Sequence, residues 1–159
     1  VGRVFVSDGV NSTRFDSATL FNICNHTNSG VEICNGIDDD CDGFIDNVVA
    51  PPGSIGISVG KTVLSWTQIA AAQSHDVLRG DVGLLLSNNG NFTLATQQCL
   101  ASQTTATTLP FTSAPPAGSA WWLLVRARNC QFAGTYNEGN NSQAATRDPG
   151  IAASPAACP

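Results

Sequence analysis

Residues 32–47, which read EICNGIDDDCDGFIDN, constrain the fold of this chain more than any other segment. Carboxylates are concentrated there, although only 12% of the chain is charged. Five aspartates fall within nine consecutive positions: Asp38, Asp39, Asp40, Asp42 and Asp46. Like charges at this density repel one another unless a cation or bulk water screens them. The segment must therefore fold either as a loop around a cation or as an exposed acidic turn.

The spacing of these aspartates favours a loop around calcium. An EF-hand loop takes side-chain ligands from positions one, three and five and has a glycine at position six for a sharp turn. The residues with this spacing are Asp38, Asp40, Asp42 and Gly43. Carboxylate oxygens suit calcium, whereas zinc prefers nitrogen and sulfur, and cysteines held in disulfides cannot bind it. The ligand chemistry therefore predicts calcium rather than zinc.

The second half of the segment departs from an EF-hand. The backbone carbonyl of Phe44 falls at position seven and the carboxylate of Asp46 at position nine. Position twelve is Val49, which cannot supply the bidentate carboxylate of an EF-hand. The sequence therefore predicts a free-standing calcium loop, and an acidic solvated turn without metal is the alternative.

The six cysteines, an even number, predict disulfide bonds and an oxidising compartment. Cys34 and Cys41 bracket part of the acidic segment and are close enough to be joined across a turn, so we expect this bridge to pin the loop. For the other four cysteines we expect the pairs Cys99–Cys130 and Cys24–Cys158, with Cys130–Cys158 equally reachable.

The acidic segment also resembles the Asp-rich metal-binding motif of secreted and surface bacterial proteins, whose family is named after a copper-binding protein of methane oxidisers. The family pattern is Glu-x-Cys-Asn/Asp-Gly-x-Asp-Asn/Asp-Asp-Cys-Asp-Gly-x-x-Asp-Glu. The matching residues are Glu32, Cys34, Asn35, Gly36, Asp38, Asp40, Cys41, Asp42, Gly43 and Asp46, whereas Asn47 replaces the final acid. The resemblance implies a bacterial surface protein and adds Glu32 to the candidate ligands. The family name implies copper, but the oxygen ligands favour calcium.

Net charge and hydropathy exclude two kinds of partner. The formal net charge is −5, which the five aspartates of the loop account for, so the remainder offers no basic face to nucleic acid or anionic lipid. The sequence has no run of 18 apolar residues, and direct membrane insertion is therefore not expected. Together with the cysteines, a surface rich in uncharged polar residues indicates an extracellular or cell-surface protein.

The chain shows three parts: an N-terminal strand segment (1–30), the metal loop (31–49) and a β domain (50–159). Short alternating apolar segments between turn residues predict an all-β fold. The predicted strands are Val1–Ser7, Phe15–Ile23, Ile55–Val59, Val63–Trp66, His75–Arg79, Val82–Ser87, Phe92–Thr96, Trp121–Asn129 and Ser142–Arg147.

The β domain resembles the fibronectin type III family over about residues 51–148. The segment PPGSIGISVGKTVLSW is similar to the opening of that family, with Trp66 as the core tryptophan, and WWLLVRARN with the later GTY is similar to its sixth strand and following loop. The resemblance implies an immunoglobulin-like antiparallel β-sandwich. Trp121 stands where the family usually has a tyrosine, and Trp122, facing the other way by alternation, is a candidate ligand-binding residue.

The residues predict a protein that is not an enzyme, because His26 and His75 are the only histidines and no catalytic set surrounds them. We favour a structural module of the cell exterior in which calcium stiffens the joint between the N-terminal segment and the sandwich. Val1–Ser7 lacks a partner within a seven-stranded sandwich, so it could add to the edge of its own sheet, or be donated to a neighbouring copy and build a homopolymer. The alternatives are contact with neighbouring domains as a spacer, an adhesion module that binds glycan or protein, and a copper-acquisition protein.

Overall fold

A computed structural model describes residues 3–7, 9–10, 12–16, 24–48, 55–70, 72–130, 132–138, 143 and 145–159. The chain divides into two compact units, Val1–Ile45 and Asp46–Pro159. The predicted N-terminal segment and most of the predicted metal loop thus belong to one unit. In the part of the chain that the structure describes, no helix is long and apolar enough to cross a membrane.

The first unit contains an antiparallel hairpin and a long loop. Strand β1 (Arg3–Ser7) pairs with β2 (Ser12–Asp16), with Ser7 opposite Ser12 and Arg3 opposite Asp16. The first predicted strand is confirmed, whereas the second begins three residues earlier than predicted, and its predicted end, residues 17–23, lies outside the described residues. A single 3-10 turn at Asn28–Gly30 precedes the acidic loop.

The second unit contains two antiparallel sheets, which confirms a mainly β fold. One sheet has the order β3-β4-β7 and is formed by β3 (Ile57–Val59), β4 (Val63–Trp66) and β7 (Thr108–Pro110). The other has the order β6-β5-β8-β9 and is formed by β5 (Ser74–Asp81), β6 (Thr96–Thr104), β8 (Trp121–Asn129) and β9 (Phe132–Ala133).

Residues of both sheets share a first core. Its buried members are Leu64, Trp66, Val77 and Val125. The alternation of apolar residues places these side chains on one face of β4, β5 and β8. The prediction that Trp66 is a core residue is confirmed, because only 6% of its surface is exposed.

A second core covers the opposite face of the larger sheet. Its buried members are Leu78, Tyr136, Ile151 and Cys158, packed against partly buried residues that include Phe92, Trp122 and Leu124. Strand β5 is therefore buried on both faces, since Val77 belongs to one core and its neighbour Leu78 to the other.

The prediction of a strand is wrong for two segments, which form short helices instead. Val82–Ser87 is helix α1, which begins where the Asp81 carboxylate accepts a hydrogen bond from the Leu84 amide at 2.7 Å. Phe92–Ala95 is helix α2, and the side chain of Asn91 caps its first amides. Both caps satisfy amides that the first helical turn leaves unpaired. The strand predicted at 142–147 is not found among its described residues, and helix α3 (Asp148–Ala152) follows.

The disulfide pairs predicted for the second unit are also wrong. Cys99 on β6 is bonded to Cys158, not to Cys130. Strand β5 lies between β6 and β8, so the ends of those strands are about 10 Å apart, beyond the reach of a disulfide. The observed bridge also rules out the expected pairs of Cys158 with Cys24 or Cys130. All six cysteines lie in described segments, and none of them is free.

A buried ionic cluster holds the larger sheet together. The Asp76 side chain on β5 is fully buried, and its Oδ2 contacts Nε and Nη2 of Arg126 at 2.8 Å and Nη1 of Arg128 at 3.0 Å. Its Oδ1 accepts the Gln103 amide of β6 at 2.9 Å. Arg128 also donates to the carbonyl oxygen of Pro159 at 3.0 Å. One carboxylate therefore joins three strands to the C-terminal segment.

Gly80 on β5 permits a close approach between three elements. It lies opposite Trp122 of β8, and a Cβ added there would be 2.0 Å from the Trp122 ring and 2.3 Å from the carbonyl oxygen of Ala95. Real Cβ atoms do not come this close to backbone or ring atoms. The indole can therefore lie across β5 only because residue 80 has no side chain.

We expect Gly80→Ala to lower the free energy of unfolding by about 1–3 kcal/mol, the usual cost of overpacking a core. Denaturant unfolding would measure this loss. Gly83→Ala is the matched control, because Gly83 is exposed within α1 and alanine favours a helix by about 1 kcal/mol, while the added Cβ would approach only the Asp81 side chain, at 3.1 Å. Equal stability of the two variants would contradict the close packing of Trp122.

His75 is buried beside the first core. The residue is 1% exposed, and its ring packs edge-on against Trp66 with the centroids 6.0 Å apart. Burial lowers the pKa of His75, and the backbone of Thr104 and the carboxylate of Asp76 offset this only in part. The folded protein therefore favours the neutral imidazole.

We expect the free energy of unfolding to fall as the pH is lowered through about 6.5, the ordinary pKa of histidine. Below that pH the unfolded chain binds a proton that folded His75 resists, so protonation favours unfolding by at most about 1.4 kcal/mol per pH unit. Denaturant titrations at a series of pH values would measure this slope. His75→Phe should flatten it and His26→Gln, at an exposed position, should not; an unchanged slope in His75→Phe would refute the assignment.

Candidate metal centre

Asp39 organises the acidic loop of the first unit. Its side chain is fully buried, and its carboxylate accepts hydrogen bonds from the Thr27 hydroxyl, the Ile33 amide at 3.2 Å and the Asn35 side-chain amide at 3.1 Å. Its carbonyl oxygen accepts the Thr27 amide at 3.2 Å. Asp39 thus fixes both arms of the loop to each other through neutral donors.

The carboxylate of Glu32 holds the loop backbone at Asp39 and Asp40 through hydrogen bonds. Its Oε1 accepts the amides of Asp39 at 2.6 Å and of Asp40 at 3.0 Å. Its Oε2 is buried and has no hydrogen-bond partner. One oxygen of Glu32 therefore shapes the loop, and the other points into it unsatisfied.

The aspartates on alternate positions use one oxygen each to bind a backbone amide further along the loop. Asp38 Oδ2 accepts the Gly43 amide at 3.0 Å, Asp40 Oδ1 accepts the Asp42 amide at 3.1 Å, and Asp42 Oδ1 accepts the Phe44 amide at 2.8 Å. Aspartate side chains commonly close turns in this way. Gly43 has φ +94°, a conformation that suits glycine, as the calcium-loop spacing predicts.

Three carboxylates converge on one point. One ligand oxygen from each of Glu32, Asp38 and Asp40 lies within 4.8 Å of the others. Calcium binds oxygens at 2.3–2.6 Å, so two ligands of one ion lie no more than about 5 Å apart. Asp38 Oδ1, like Glu32 Oε2, is buried without a hydrogen-bond partner. These donors therefore fit a hard divalent cation, and backbone carbonyls or waters would complete its shell.

Other ligands predicted from the spacing lie outside this cluster. Asp42 is exposed, and Asp46 falls at the start of the second unit with φ +53°. The predicted ligand atom of Phe44 is its backbone carbonyl oxygen, which stays a prediction because the cluster is defined by carboxylate side chains alone. Among the described residues the cluster combines Glu32 with the first two alternating aspartates.

The disulfide that pins the loop is not the predicted one. Cys41 is bonded to Cys24, with the Cα atoms 5.6 Å apart, and the predicted Cys34–Cys41 pair is wrong. Because Cys41 is already bonded to Cys24, it cannot also pair with Cys34.

The sequence analysis missed the role of Asp39, although the alternation contained a signal for it. If the side chains of Asp38 and Asp40 turn toward an ion, the side chain of Asp39 between them turns away. It must then either face water or be buried beside hydrogen-bond donors. The tertiary partner that decides in favour of burial is Thr27, twelve residues earlier in the chain. Nothing in the local spacing identifies Thr27.

Trp122 lies in the second unit and forms part of a small cavity. Its ring packs edge-on against Phe92 with the centroids 5.4 Å apart, whereas Trp121 packs against Phe111 and under the guanidinium of Arg79. The two tryptophans thus face opposite sides, as alternation predicts. The buried indole N–H of Trp122 has no hydrogen-bond partner.

Comparison with known proteins adds nothing to this description. No protein-family model, curated protein or solved structure matches the chain.

Proposed function

We propose that this chain is a non-enzymatic structural module of the bacterial cell exterior, stabilised by calcium in the loop of its first unit. The observation that carries the proposal is the convergence of Glu32, Asp38 and Asp40, with two buried oxygens that lack any hydrogen-bond donor. An unsatisfied buried carboxylate oxygen is costly, and a cation removes that cost.

Charge supports a resident cation in this loop. Residues 24–48 contain six carboxylates and neither lysine nor arginine. Hydrogen bonds from neutral donors hold Asp39, but they leave the repulsion among the other carboxylates unopposed. Calcium accepts six to eight oxygens in flexible geometry, which suits a loop that offers three carboxylates. Copper prefers nitrogen and sulfur ligands, which this cluster does not contain.

The second unit is proposed to be a fibronectin type III-like sandwich with an added layer. The shared core of Leu64, Trp66, Val77 and Val125 supports the sandwich, because it takes side chains from both sheets. The helices and the C-terminal segment that cover the outer face of β5 have no counterpart in the predicted two-layer fold. Sandwiches serve many functions, so this assignment supports a module outside the cell without selecting one.

Three disulfides are compatible with an extracellular location. Cys24–Cys41 closes the metal loop and Cys99–Cys158 fastens β6 to the C-terminal segment. Such bridges stabilise a domain mainly by restricting its unfolded chain. With a bound ion they suit a protein that must resist unfolding outside the cell, as a subunit of a surface assembly or as a spacer.

Asp40→Ala should lower the unfolding temperature in calcium and leave it nearly unchanged in chelator, because it removes a ligand. An ion present at 100 times its dissociation constant contributes about 2.7 kcal/mol, which sets the scale of the loss. Asp39→Asn is the matched control and should cost the same in both conditions, because Asp39 holds the loop and lies outside the cluster. Differential scanning calorimetry would detect both, since the first unit has no tryptophan.

Two results would contradict the calcium site. Equal losses from Asp40→Ala in calcium and in chelator would mean that the loop holds no ion. Tight binding of copper, with no effect of calcium on the unfolding temperature, would favour the metal-acquisition alternative.

Electron microscopy of native material tests the assembly directly. We expect regular fibres in calcium that fray when a chelator removes the ion, because the loop then loses the charge that balances its carboxylates. Dispersed particles in both conditions would exclude a self-assembling subunit. They would leave the spacer and adhesion readings, with the Trp122 cavity as the first surface to screen against glycans.

A further inference from the structure

The Cys24–Cys41 disulfide joins two arms of the acidic loop at the candidate metal centre. Cys41 directly follows the candidate ligand Asp40 in the chain. The Sγ atom of Cys24 lies 3.4 Å from the carbonyl oxygen of the candidate ligand Asp38. Both cysteines belong to the first unit, together with all three carboxylates of the cluster. The bridge therefore fixes the segment that carries two of the three candidate ligands.

A pair of hydrogen bonds from Thr27 links the same two arms of the loop. The amide of Thr27, three residues after Cys24, donates to the carbonyl oxygen of Asp39 at 3.2 Å, and its hydroxyl donates to the Asp39 carboxylate. Hydrogen bonds near a protein surface open in local fluctuations, whereas a covalent bridge keeps the arms together while they do. The disulfide is therefore the more durable constraint on the two arms.

The backbone of Cys41 adopts a conformation that the bridge helps to hold. Its φ is +64°, in the left-handed region that is unfavourable for a residue with a Cβ. On either side of it, the Asp42 amide donates to Asp40 Oδ1 at 3.1 Å. Once the bridge is broken, Cys41 can return to a negative φ, which turns Asp40 away from Asp38. Loss of the bridge therefore separates two ligands of the cluster.

The bridge is accessible to a reductant. Cys24 is exposed, whereas Cys158, which is bonded to Cys99, is only 7% exposed. The thiolate of a dithiol can bond to the Cys24 sulfur and displace Cys41 as a thiolate. The second thiol of the reductant then displaces Cys24 and closes the reductant's own disulfide. The dithiol is oxidised, and its two protons and two electrons leave the protein with two thiols.

We propose that the Cys24–Cys41 disulfide is a redox switch for calcium: its reduction by a dithiol lowers the calcium affinity of the loop, and the bound ion protects the disulfide from reduction. The inference rests on the proposed function, because it names the regulation of the same site. The two effects are equal by linkage, since each is the ratio of calcium affinities in the oxidised and the reduced protein. The loop thus holds its ion tightly only after the bridge has formed, as it does in an oxidising compartment.

Calcium titration of the full chain by isothermal titration calorimetry tests the first effect. We expect the double variant Cys24→Ser, Cys41→Ser to bind calcium at least tenfold more weakly than the native chain. The bridge joins residues 17 positions apart, and without it the ion must order the loop between them. The double variant Cys99→Ser, Cys158→Ser is the matched control and should keep the native affinity, because its bridge lies in the second unit.

Three results of the titration would overturn the inference. Equal calcium affinity in the native chain and in the Cys24, Cys41 double variant would refute the switch and leave the calcium site intact. An equal loss of affinity in the Cys99, Cys158 double variant would show that the effect does not belong to the loop. Absence of calcium binding by the native chain would remove both the inference and the proposed function.

Reduction of the native chain tests the second effect without a variant that has to fold. The chain would be equilibrated in dithiothreitol buffers of graded potential, with calcium or with chelator, and its thiols alkylated and assigned by peptide mass spectrometry. We expect saturating calcium to make reduction of Cys24–Cys41 at least tenfold less favourable, a shift of about 30 mV, and to leave Cys99–Cys158 unchanged. In Asp40→Ala this protection should disappear. Equal midpoints in calcium and in chelator, or protection that persists in Asp40→Ala, would refute the switch.

Discussion

The second unit depends on the ion pairs and hydrogen bonds that the buried carboxylate of Asp76 makes. It carries a charge into the centre of the most buried strand, where an unpaired carboxylate would be far too costly to keep. Two guanidinium groups from β8 and one amide from β6 surround it, so the strands on both sides of β5 are fixed by the same residue. Removing one partner of a buried ion pair costs about 3–5 kcal/mol, more than most single apolar contacts.

The two units neutralise their fully buried carboxylates in different ways. Asp76 is surrounded by arginine, and no ion is needed there. Asp39 receives only neutral donors, in a segment that has no lysine or arginine. The candidate metal centre lies in this same segment, where no lysine or arginine balances the carboxylates. The ionic cluster of the second unit also orients Tyr136, whose ring lies 4.8 Å from the guanidinium of Arg126 and whose pKa is raised by burial.

The sequence alone predicts those strands in which the alternation of apolar residues matches the burial of the same residues in the fold. Strand β4 and strand β8 have the predicted bounds: Leu64 and Trp66 of β4 face the first core, and successive apolar residues of β8 face the two cores in turn. Strand β6 was missed because its sequence, TQQCLASQT, is mostly polar, and it is a strand only through its pairing with β5. The helices at Val82 and Phe92 were missed because the sequence analysis did not recognise Asp81 and Asn91 as helix-capping residues. The prediction of a Cys99–Cys130 disulfide was wrong because chain order does not predict that β5 separates β6 from β8.

The glycine at position 80 has a consequence for recognising related sequences. A side chain there would meet both the Trp122 ring and the backbone of Ala95, so a smaller residue at position 122 would relieve only half of the conflict. A related protein with a side chain at position 80 would therefore need a shifted backbone at the α2–β6 junction as well as a smaller residue at position 122. In distant homologues, a glycine within the central strand and a large aromatic residue opposite it in the next strand should change together or not at all. That pair would identify a relative after the acidic loop, the cysteines and the surface had all been replaced.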